Sequence, residues 1–428
     1  MKKTISKLLL ISTIILSSCG VVNSSSSSSS SSSEQTNNMN NNTNPTNIKN
    51  LPADLKKVSD SGISTANNTF AFKLFNNLVK EEKNKSIFIS PLSVSTALAM
   101  TYNGAKGKTK EDMAKTLEIN GIKTEDFNNS YKTIKNFIST KDTDLTLATA
   151  NSLWLRKGEK LKKSFETTID SFFDGKVTEL DFSDKEAPKT INGWVSEKTE
   201  GKIKDLIKNI DPATFLYLIN TIYFKGSWTE KFDASFTTDT PFTNIEGIQK
   251  DIKMMFRNNS DYEYYQGDKF NAVKLYYAKD KKAYLTVFLP NTDSNLTELY
   301  KTLDAKSLEE INKNFENKKI NLGLPKFKME YEKKLNENLK ALGMEIAFGS
   351  GADFTNLAES NGFISEVKHK SFLEVNEEGS EAAAATSVAI TKNAISRPTR
   401  FVADRPFFFT ITESNSNLIL FMGSVLDI

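Results

Sequence analysis

The chain has 428 residues, of which 38% are hydrophobic and 25% are charged, with 29 phenylalanines. This composition excludes collagen-like, fully disordered and polytopic membrane proteins. Basic residues number 56 against 53 acidic ones, and three of the lysines lie in the first 18 residues. The remainder is formally neutral, which gives no electrostatic reason to expect nucleic acid as a partner. One cysteine and one histidine exclude a disulfide and a histidine-rich zinc site.

The first 18 residues have the pattern of an export signal. The first seven residues are basic, with lysines at Lys2, Lys3 and Lys7. The apolar run at 8–16 that follows is too short for a transmembrane helix, which needs about 20 residues. Cys19 follows at the cleavage point, an arrangement similar to the lipobox of bacterial lipoproteins. The resemblance implies acylation of Cys19, including palmitate, and stable anchoring to a membrane. The alternative is an ordinary secretory signal with an incidental cysteine.

Residues 19–52 are expected to form a lipidated, disordered tether. Serine occupies every position from 24 to 33, and an Asn- and Thr-rich stretch follows. Such a composition cannot bury enough apolar surface to fold. The sequence therefore predicts a lipoprotein signal peptide at 1–18, this tether, and a folded domain at 53–428. The domain would be exported and held at the surface of a bacterial membrane.

In the folded part, helical spacing of apolar residues comes first, at residues 70–78. Ser90 and Pro91 indicate the start of a second helix that ends at residues 103–104. Residues 145–155 predict a strand that is apolar on both faces and therefore central in a sheet. The remaining elements are a helix at 191–207, strands at 215–224 and 283–289, a helix at 335–344, and a hairpin at 407–412 and 417–425. Helices crowd the first half and strands the second, without regular βαβ alternation, which predicts one α+β domain.

Catalytic and cofactor motifs are incomplete. A GKT triplet at 107–109 lacks the glycine that a phosphate loop needs, because position 102 is Tyr102. His369 lies in a predicted strand, where a lone histidine is more often structural than catalytic. The acidic residues near 377–381 lack the spacing of cation ligands. These features predict neither an enzyme nor a metal or cofactor, and a hydrolase is therefore disfavoured.

Residues 377–390 do not fit a static fold. They follow a predicted strand, and Gly379 supplies a hinge. Read with a period of two, the even positions from 380 to 390 are all small or apolar. That is the pattern of a strand that could enter a packed sheet, although solvated loop composition flanks it. An exposed, alanine-rich linker is the alternative.

This segment resembles the reactive-centre-loop hinge of the serpin family, and the resemblance covers about residues 67–428. Further segments are similar to serpin motifs and occur in the expected order: FISPLS at 88–93, NGWV at 192–195, TEGKI at 199–203, NTIYFKGSW at 220–228, PKF at 325–327 and DRPF at 404–407. Membership implies the serpin fold, with three β-sheets, about eight to nine helices and an exposed reactive-centre loop.

The resemblance also assigns roles to particular residues. It implies a hinge at Glu377, Gly379, Ser380, Ala382, Ala383, Ala384, Ala385 and Thr386. It implies a polar cluster, the shutter, at Ser90, Ser93, Asn220 and His369, and it places Trp228 at the breach, where the central sheet opens. The small hinge residues are typical of inhibitory serpins. The implied function is suicide-substrate inhibition of serine proteases, with cysteine proteases also open, by a monomer that forms a covalent acyl-enzyme and needs no cofactor.

The position of the reactive bond stays open between two registers. Counting from Glu377 in the manner of serpins gives Asn393–Ala394, whereas a register one residue shorter gives Lys392–Asn393, which suits trypsin-like enzymes. Arg397–Pro398 is a poor bond because proline follows the cut. A cut near 389–390 would shorten the inserted segment. The alternative function is a non-inhibitory serpin that acts as a surface-binding protein.

Overall fold

The structure is a computed structural model that describes residues 50–140, 144–380 and 398–428, which fall in one compact unit. Several predicted functional positions lie outside these ranges: Cys19, Ala382, Ala383, Ala384, Ala385, Thr386, Lys392, Asn393 and Ala394. Helix α1 begins at Leu51, two residues before the expected start of the folded domain. None of the helices within the described ranges is long and apolar enough to cross a membrane.

The described residues contain ten α-helices, against the eight to nine expected, and the last has only four residues. In chain order they are α1 (Leu51–Asp60), α2 (Ile63–Glu81), α3 (Pro91–Gly104), α4 (Gly107–Thr116), α5 (Thr124–Ile138), α6 (Lys163–Phe172), α7 (Ala187–Lys198), α8 (Leu296–Thr302), α9 (Ala305–Lys313) and α10 (Asn336–Leu339). Helix α3 starts as predicted, because the Ser90 side chain accepts a hydrogen bond from the Ser93 amide and Pro91 occupies the first position.

The helix predicted over residues 191–207 is shorter in the structure. Helix α7 ends at Lys198, because Glu200 and Gly201 adopt positive φ angles of 52° and 74°, which a right-handed helix does not accept. The segment 199–207 continues without regular structure, yet Ile203 and Ile207 are buried. Its apolar spacing therefore reflects packing of an irregular segment against the sheet.

The three strands predicted at 145–155, 215–224 and 283–289 are present among the fifteen strands of the described residues. In chain order the fifteen are β1 (Ile87–Ile89), β2 (Leu145–Arg156), β3 (Lys176–Leu180), β4 (Leu216–Ser227), β5 (Thr237–Thr243), β6 (Gln249–Gln266), β7 (Phe270–Tyr277), β8 (Ala283–Pro290), β9 (Glu316–Pro325), β10 (Phe327–Lys334), β11 (Ile364–Val375), β12 (Gly379–Ser380), β13 (Thr399–Val402), β14 (Phe407–Glu413) and β15 (Ile419–Val425). Strands β2, β4 and β8 are buried along nearly their whole length.

The smaller sheet has six strands in the order β10-β11-β4-β2-β3, with β12 added to the end of β4. Strands β4 and β11 are parallel, and β2 and β10 pair with them antiparallel on either side. The larger sheet has nine strands in the order β1-β15-β14-β8-β7-β6-β9-β13, with β5 on β6. The α+β prediction is confirmed, but the described strands form two hydrogen-bonded networks where three sheets were expected. The 18-residue β6 pairs with β5, β7 and β9, and it therefore connects strands that would otherwise belong to separate sheets.

Two apolar layers sandwich the smaller sheet. Its inner face packs on the main core, to which β4 contributes Leu216, Leu218, Ile222 and Phe224. Its outer face is covered by α7 and by segment 199–207, which pack on alternate β4 residues such as Tyr217 and Ile219. Both faces of β4 are therefore dry, which explains its continuous apolar sequence.

Candidate functional site

The boundary between the parallel strands β4 and β11 is called the seam here. The pairing runs from Leu216 opposite Ile364, its lower end, to Tyr223 opposite Phe372. Past this point β4 pairs with β12 instead, and Ser380 lies antiparallel to Gly226. Because the other edge of Gly226 is already taken by β2, Ser380 lies on the side that faces β11. The upper end of the seam therefore holds the first described residues of the predicted hinge.

Two glycines make this close approach possible. Gly379 has a φ of +146°, and a Cβ atom there would lie 2.0 Å from the carbonyl oxygen of Gly226. A Cβ atom on Gly226 would lie 2.9 Å from the ring of Tyr277. A side chain at Gly379 would force the two backbones apart, and one at Gly226 would collide with the ring of Tyr277, which contacts Ser380.

Trp228 lies directly against the hinge. Its indole Nε1 donates to the carbonyl of Asn376 at 2.9 Å, and its backbone amide donates to the carbonyl of Glu378 at 2.9 Å. The indole stacks on Tyr277 with a centroid distance of 4.3 Å, and the Tyr277 hydroxyl lies 3.0 Å from the hydroxyl of the fully buried Ser380. The residue predicted at the breach thus contacts the chain at the point where it leaves the sheet.

Ion pairs hold the two glutamates at the start of the hinge. Glu377 pairs with Lys326 at 2.8 Å and accepts from the Thr237 hydroxyl, while Glu378 pairs with Lys231 at 2.6 Å. Partial burial raises the pKa of Glu377, but the hydrogen bonds and the charge of Lys326 outweigh it and leave the pKa below its ordinary value. The Glu377 carboxylate therefore stays ionised and anchored at neutral pH.

The four predicted shutter residues meet at the middle of the seam. Ser90 and Ser93 lie at the start of α3, Asn220 on β4, and His369 directly opposite it on β11. A fifth residue, Asn151 on β2, completes the cluster by accepting from the Ser93 hydroxyl at 3.0 Å and from the Asn220 side-chain amide. All five side chains are buried, so the cluster is a hydrogen-bonded polar island in an apolar core.

The hydrogen bonds of the cluster fix the tautomer of His369. The Ser90 amide donates to Nε2 at 3.3 Å, so Nε2 carries no proton. The other nitrogen, Nδ1, must therefore donate to Oδ1 of Asn220, 2.5 Å away. Complete burial lowers the pKa of His369 to about 3, and the hydrogen bond to Asn220 opposes this only weakly. The ring is neutral and inaccessible to an external substrate.

Sequence reasoning missed Asn151, Tyr277 and Lys231. For Asn151 a signal existed, since it is a polar residue in the middle of a strand predicted to be buried on both faces. It also pairs directly with Asn220 across β2 and β4. The other two contact the hinge from elements far away in sequence, so no local pattern marks them. Across the described ranges, no group of three or more His, Cys, Asp or Glu side chains is placed to bind a metal ion.

Comparison with known proteins agrees with this geometry. A family model described as Serpin (serine protease inhibitor) matches residues 65–428. The leukocyte elastase inhibitor of Xenopus laevis is 38% identical over 373 residues, covering 84% of this chain and 98% of that protein. The native structure of the thermophilic serpin tengpin matches with a TM-score of 0.78 and 33% identity, over 86% of this chain and 94% of that one. Human thyroxine-binding globulin matches with a TM-score of 0.80 and 28% identity, over 87% and 99%. The predicted fold is confirmed.

Proposed function

Because the chain belongs to the serpin family, we propose that it inhibits serine proteases, and in principle cysteine proteases, as a suicide substrate. The observation that carries this proposal is the pairing of Gly379 and Ser380 with the upper end of β4. In the proposed mechanism this two-residue pairing would be the starting point of strand insertion, and it defines the register. A similar relative, from Xenopus laevis, is named as an inhibitor of leukocyte elastase.

The register of β12 supports the insertion of the following residues. Antiparallel pairing continued from Ser380 would place Ala382 opposite Phe224, Thr386 opposite Asn220 and Ile390 opposite Leu216. Residues directly opposite each other share a face of the sheet. The even-numbered β4 residues face the main core. The small and apolar side chains at even loop positions would therefore enter the core, which accounts for their period of two.

The proposed mechanism starts with attack of the protease serine on the carbonyl carbon of the reactive bond. The peptide C–N bond breaks, an ester to the protease forms, and the new amino terminus leaves with the C-terminal part of the inhibitor. The freed hinge then enters the seam as an additional strand, with the protease still attached. One parallel boundary between β4 and β11 is thereby replaced by two antiparallel ones, which gain main-chain hydrogen bonds. Deformation of the displaced protease delays hydrolysis of the ester.

The proposal extends to location and assembly. We expect export, acylation of Cys19 and attachment of the monomer to a bacterial membrane surface, with the serine- and asparagine-rich tether as a spacer. The sequence pattern at residues 1–19 supports this part. Metabolic labelling with palmitate should mark the wild-type chain and spare the variant Cys19→Ser. Equal labelling of both would contradict a lipid anchor at this cysteine.

Incubation with trypsin and with an asparagine-specific protease tests the inhibitory mechanism. A denaturing gel should show a covalent complex with one of them, and the mass of the released peptide should place the bond at Lys392–Asn393 or Asn393–Ala394. The variant Ala384→Arg should be cleaved without forming a complex, because a charged side chain would have to enter the core opposite Ile222. The matched control Ala384→Thr, which introduces only a small side chain, should still form the complex. Complex formation by Ala384→Arg would contradict insertion in this register.

The alternative is a serpin that binds a ligand or a surface and does not inhibit proteases. Thermal unfolding of the cleaved protein separates the two functions. Inhibitory insertion should raise the unfolding temperature strongly, whereas a static binding protein should melt at the same temperature before and after cleavage.

A further inference from the structure

We infer that Tyr217 and Glu366 form a latch at the lower end of the seam, which positions β4 against β11 and opposes the last stage of loop insertion. The inference rests on the proposed insertion mechanism and deepens it. The two residues are directly opposite each other in the parallel pairing. The Tyr217 hydroxyl donates to Oε1 of Glu366 at 2.9 Å.

The latch belongs to a chain of contacts across three strands. Lys334 on β10 pairs with the other carboxylate oxygen of Glu366 at 3.0 Å. The carboxylate is thus held from one side by an ammonium group and from the other by the tyrosine hydroxyl. Just below, the amide of Phe215 donates to the hydroxyl of Ser365 at 2.9 Å, at an irregularity in the pairing of β11. Two side-chain hydrogen bonds therefore close the seam at this level.

The surroundings of the latch strengthen it. Tyr217 is only 4% exposed and lies in the outer apolar layer, beneath α7 and segment 199–207. A hydrogen bond is stronger where water is excluded, and this applies to the buried tyrosine end of the contact. Burial, followed by the charge of Glu366, raises the pKa of Tyr217, so the hydroxyl keeps its proton. The tyrosine is a fixed donor to a fixed acceptor.

Insertion of a strand must break this contact. Neighbouring strands lie about 4.8 Å apart, so a new strand between β4 and β11 would move Tyr217 and Glu366 to about twice that separation. The hydroxyl could then no longer reach the carboxylate. The contact between Lys334 and Glu366 joins β10 to β11 and would survive. The latch therefore stabilises only the uninserted form.

The position of the latch determines which stage it opposes. Insertion begins at the upper end, where β12 already pairs with β4, and proceeds towards Leu216. The polar cluster at Asn220 and His369 is reached first, and Tyr217 lies three residues further along β4. The latch is thus among the last side-chain contacts across the seam to open, and only the hydrogen bond between Phe215 and Ser365 lies beyond it. Its strength decides how readily insertion is completed.

The test compares Tyr217→Phe with the matched control Tyr331→Phe. Tyr331 is also a buried tyrosine that donates to a carboxylate, Glu82 at 3.3 Å, but it lies on β10 and does not cross the seam. Two quantities are measured on the full chain: thermal unfolding of the uncleaved and the trypsin-cleaved protein, and the rate at which a synthetic peptide of residues 380–390 anneals to the uncleaved protein.

Tyr217→Phe should lower the unfolding temperature of the uncleaved form only, and peptide annealing should become up to about tenfold faster, the effect of losing one hydrogen bond. Tyr331→Phe should lower the unfolding temperatures of both forms together and leave annealing unchanged. Glu366→Gln keeps an acceptor oxygen for Tyr217, so its annealing rate should stay closer to wild type than that of Tyr217→Phe.

Two failures are distinguishable. If Tyr217→Phe shifts both forms equally or leaves the annealing rate unchanged, the latch is overturned and the inhibitory mechanism stands. If the cleaved wild-type protein is no more heat-stable than the uncleaved protein, the proposed function is overturned, and the latch with it.

Discussion

Acid should destabilise the protein through His369, the only imidazole in the chain. Its pKa is about 3 in the folded protein, against 6.5 for an ordinary histidine. The unfolded chain therefore binds a proton between these values and the folded protein does not. Since the folded pKa lies below the unfolded one, the stabilising contribution is fully present above about pH 6.5 and is lost as the pH falls towards 3.

The expected magnitude is large. Each unit of pH below 6.5 should reduce the free energy of unfolding by about 1.4 kcal/mol through this group. At pH 4.5 the loss reaches about 3 kcal/mol, a substantial part of the roughly 5–15 kcal/mol that stabilises a typical protein. Complete burial of the ring means that solvent screening does not reduce this effect.

Urea unfolding of the wild-type protein and of His369→Gln at several pH values between 4.5 and 7.5 measures the effect. Carboxylates with lowered pKa, such as Glu377 and Glu332, also lose stabilising contacts in acid, but they do so in both proteins. The difference between the two curves isolates the imidazole. Wild type should lose about 1.4 kcal/mol per pH unit more than the variant below pH 6.5.

Proton NMR supplies an independent reading, because one histidine gives one set of imidazole resonances. In the folded protein these should stay in the neutral form down to the pH of acid unfolding. Parallel stability curves, or a resonance that titrates near 6.5 in the folded state, would refute the reasoning from burial of the ring in the polar cluster.

Three further substitutions test other contacts. Gly379→Ala should lower the unfolding temperature by a few degrees, because its Cβ would collide with the Gly226 carbonyl; calorimetry showing no change would contradict the need for glycine. Asn151→Ala should lower the free energy of unfolding in urea by about 1–3 kcal/mol, since the buried Ser93 hydroxyl and Asn220 amide lose their acceptor. A change near zero would contradict the role of Asn151 in the polar cluster. Lys326→Met should lower the free energy of unfolding by less than about 1 kcal/mol, because Lys326 is 39% exposed and its ion pair with Glu377 is screened by water. Most of the difference from wild type should disappear in 1 M salt. A loss of stability that does not depend on salt would exclude a screened ion pair.

The central strands could be predicted from the sequence because burial on both faces leaves a continuous apolar run. This holds for β2, β4 and β8. The end of α7 could not be predicted, because the apolar spacing at Ile203 and Ile207 is compatible with an irregular segment packed on the sheet as well as with a helix. The joining of the strands into two hydrogen-bonded networks could not be predicted either, since it depends on how far β6 continues past its pairing with β5.

For the functional site, local patterns identified little, and the family resemblance identified most. Ser90 and His369 are 279 positions apart, so no spacing rule brings them together. Asn151 was missed because its strand was read for apolar content, although an amide within a buried strand requires a buried partner. The contact between Tyr217 and Glu366 was missed for a similar reason. Tyr217 fits an apolar pattern, and only the pairing of β4 with β11 shows what its hydroxyl contacts.

The pairing of β1 with β15 has a consequence for biosynthesis. Ile87 lies opposite Ser424, and the Ser90 hydroxyl donates to the carbonyl of Leu420. The start of α3 and the polar cluster beside it therefore cannot be completed until nearly the last residue has left the ribosome. Contacts between such distant positions form slowly, because a long loop must close first. The chain should thus remain incompletely folded throughout synthesis.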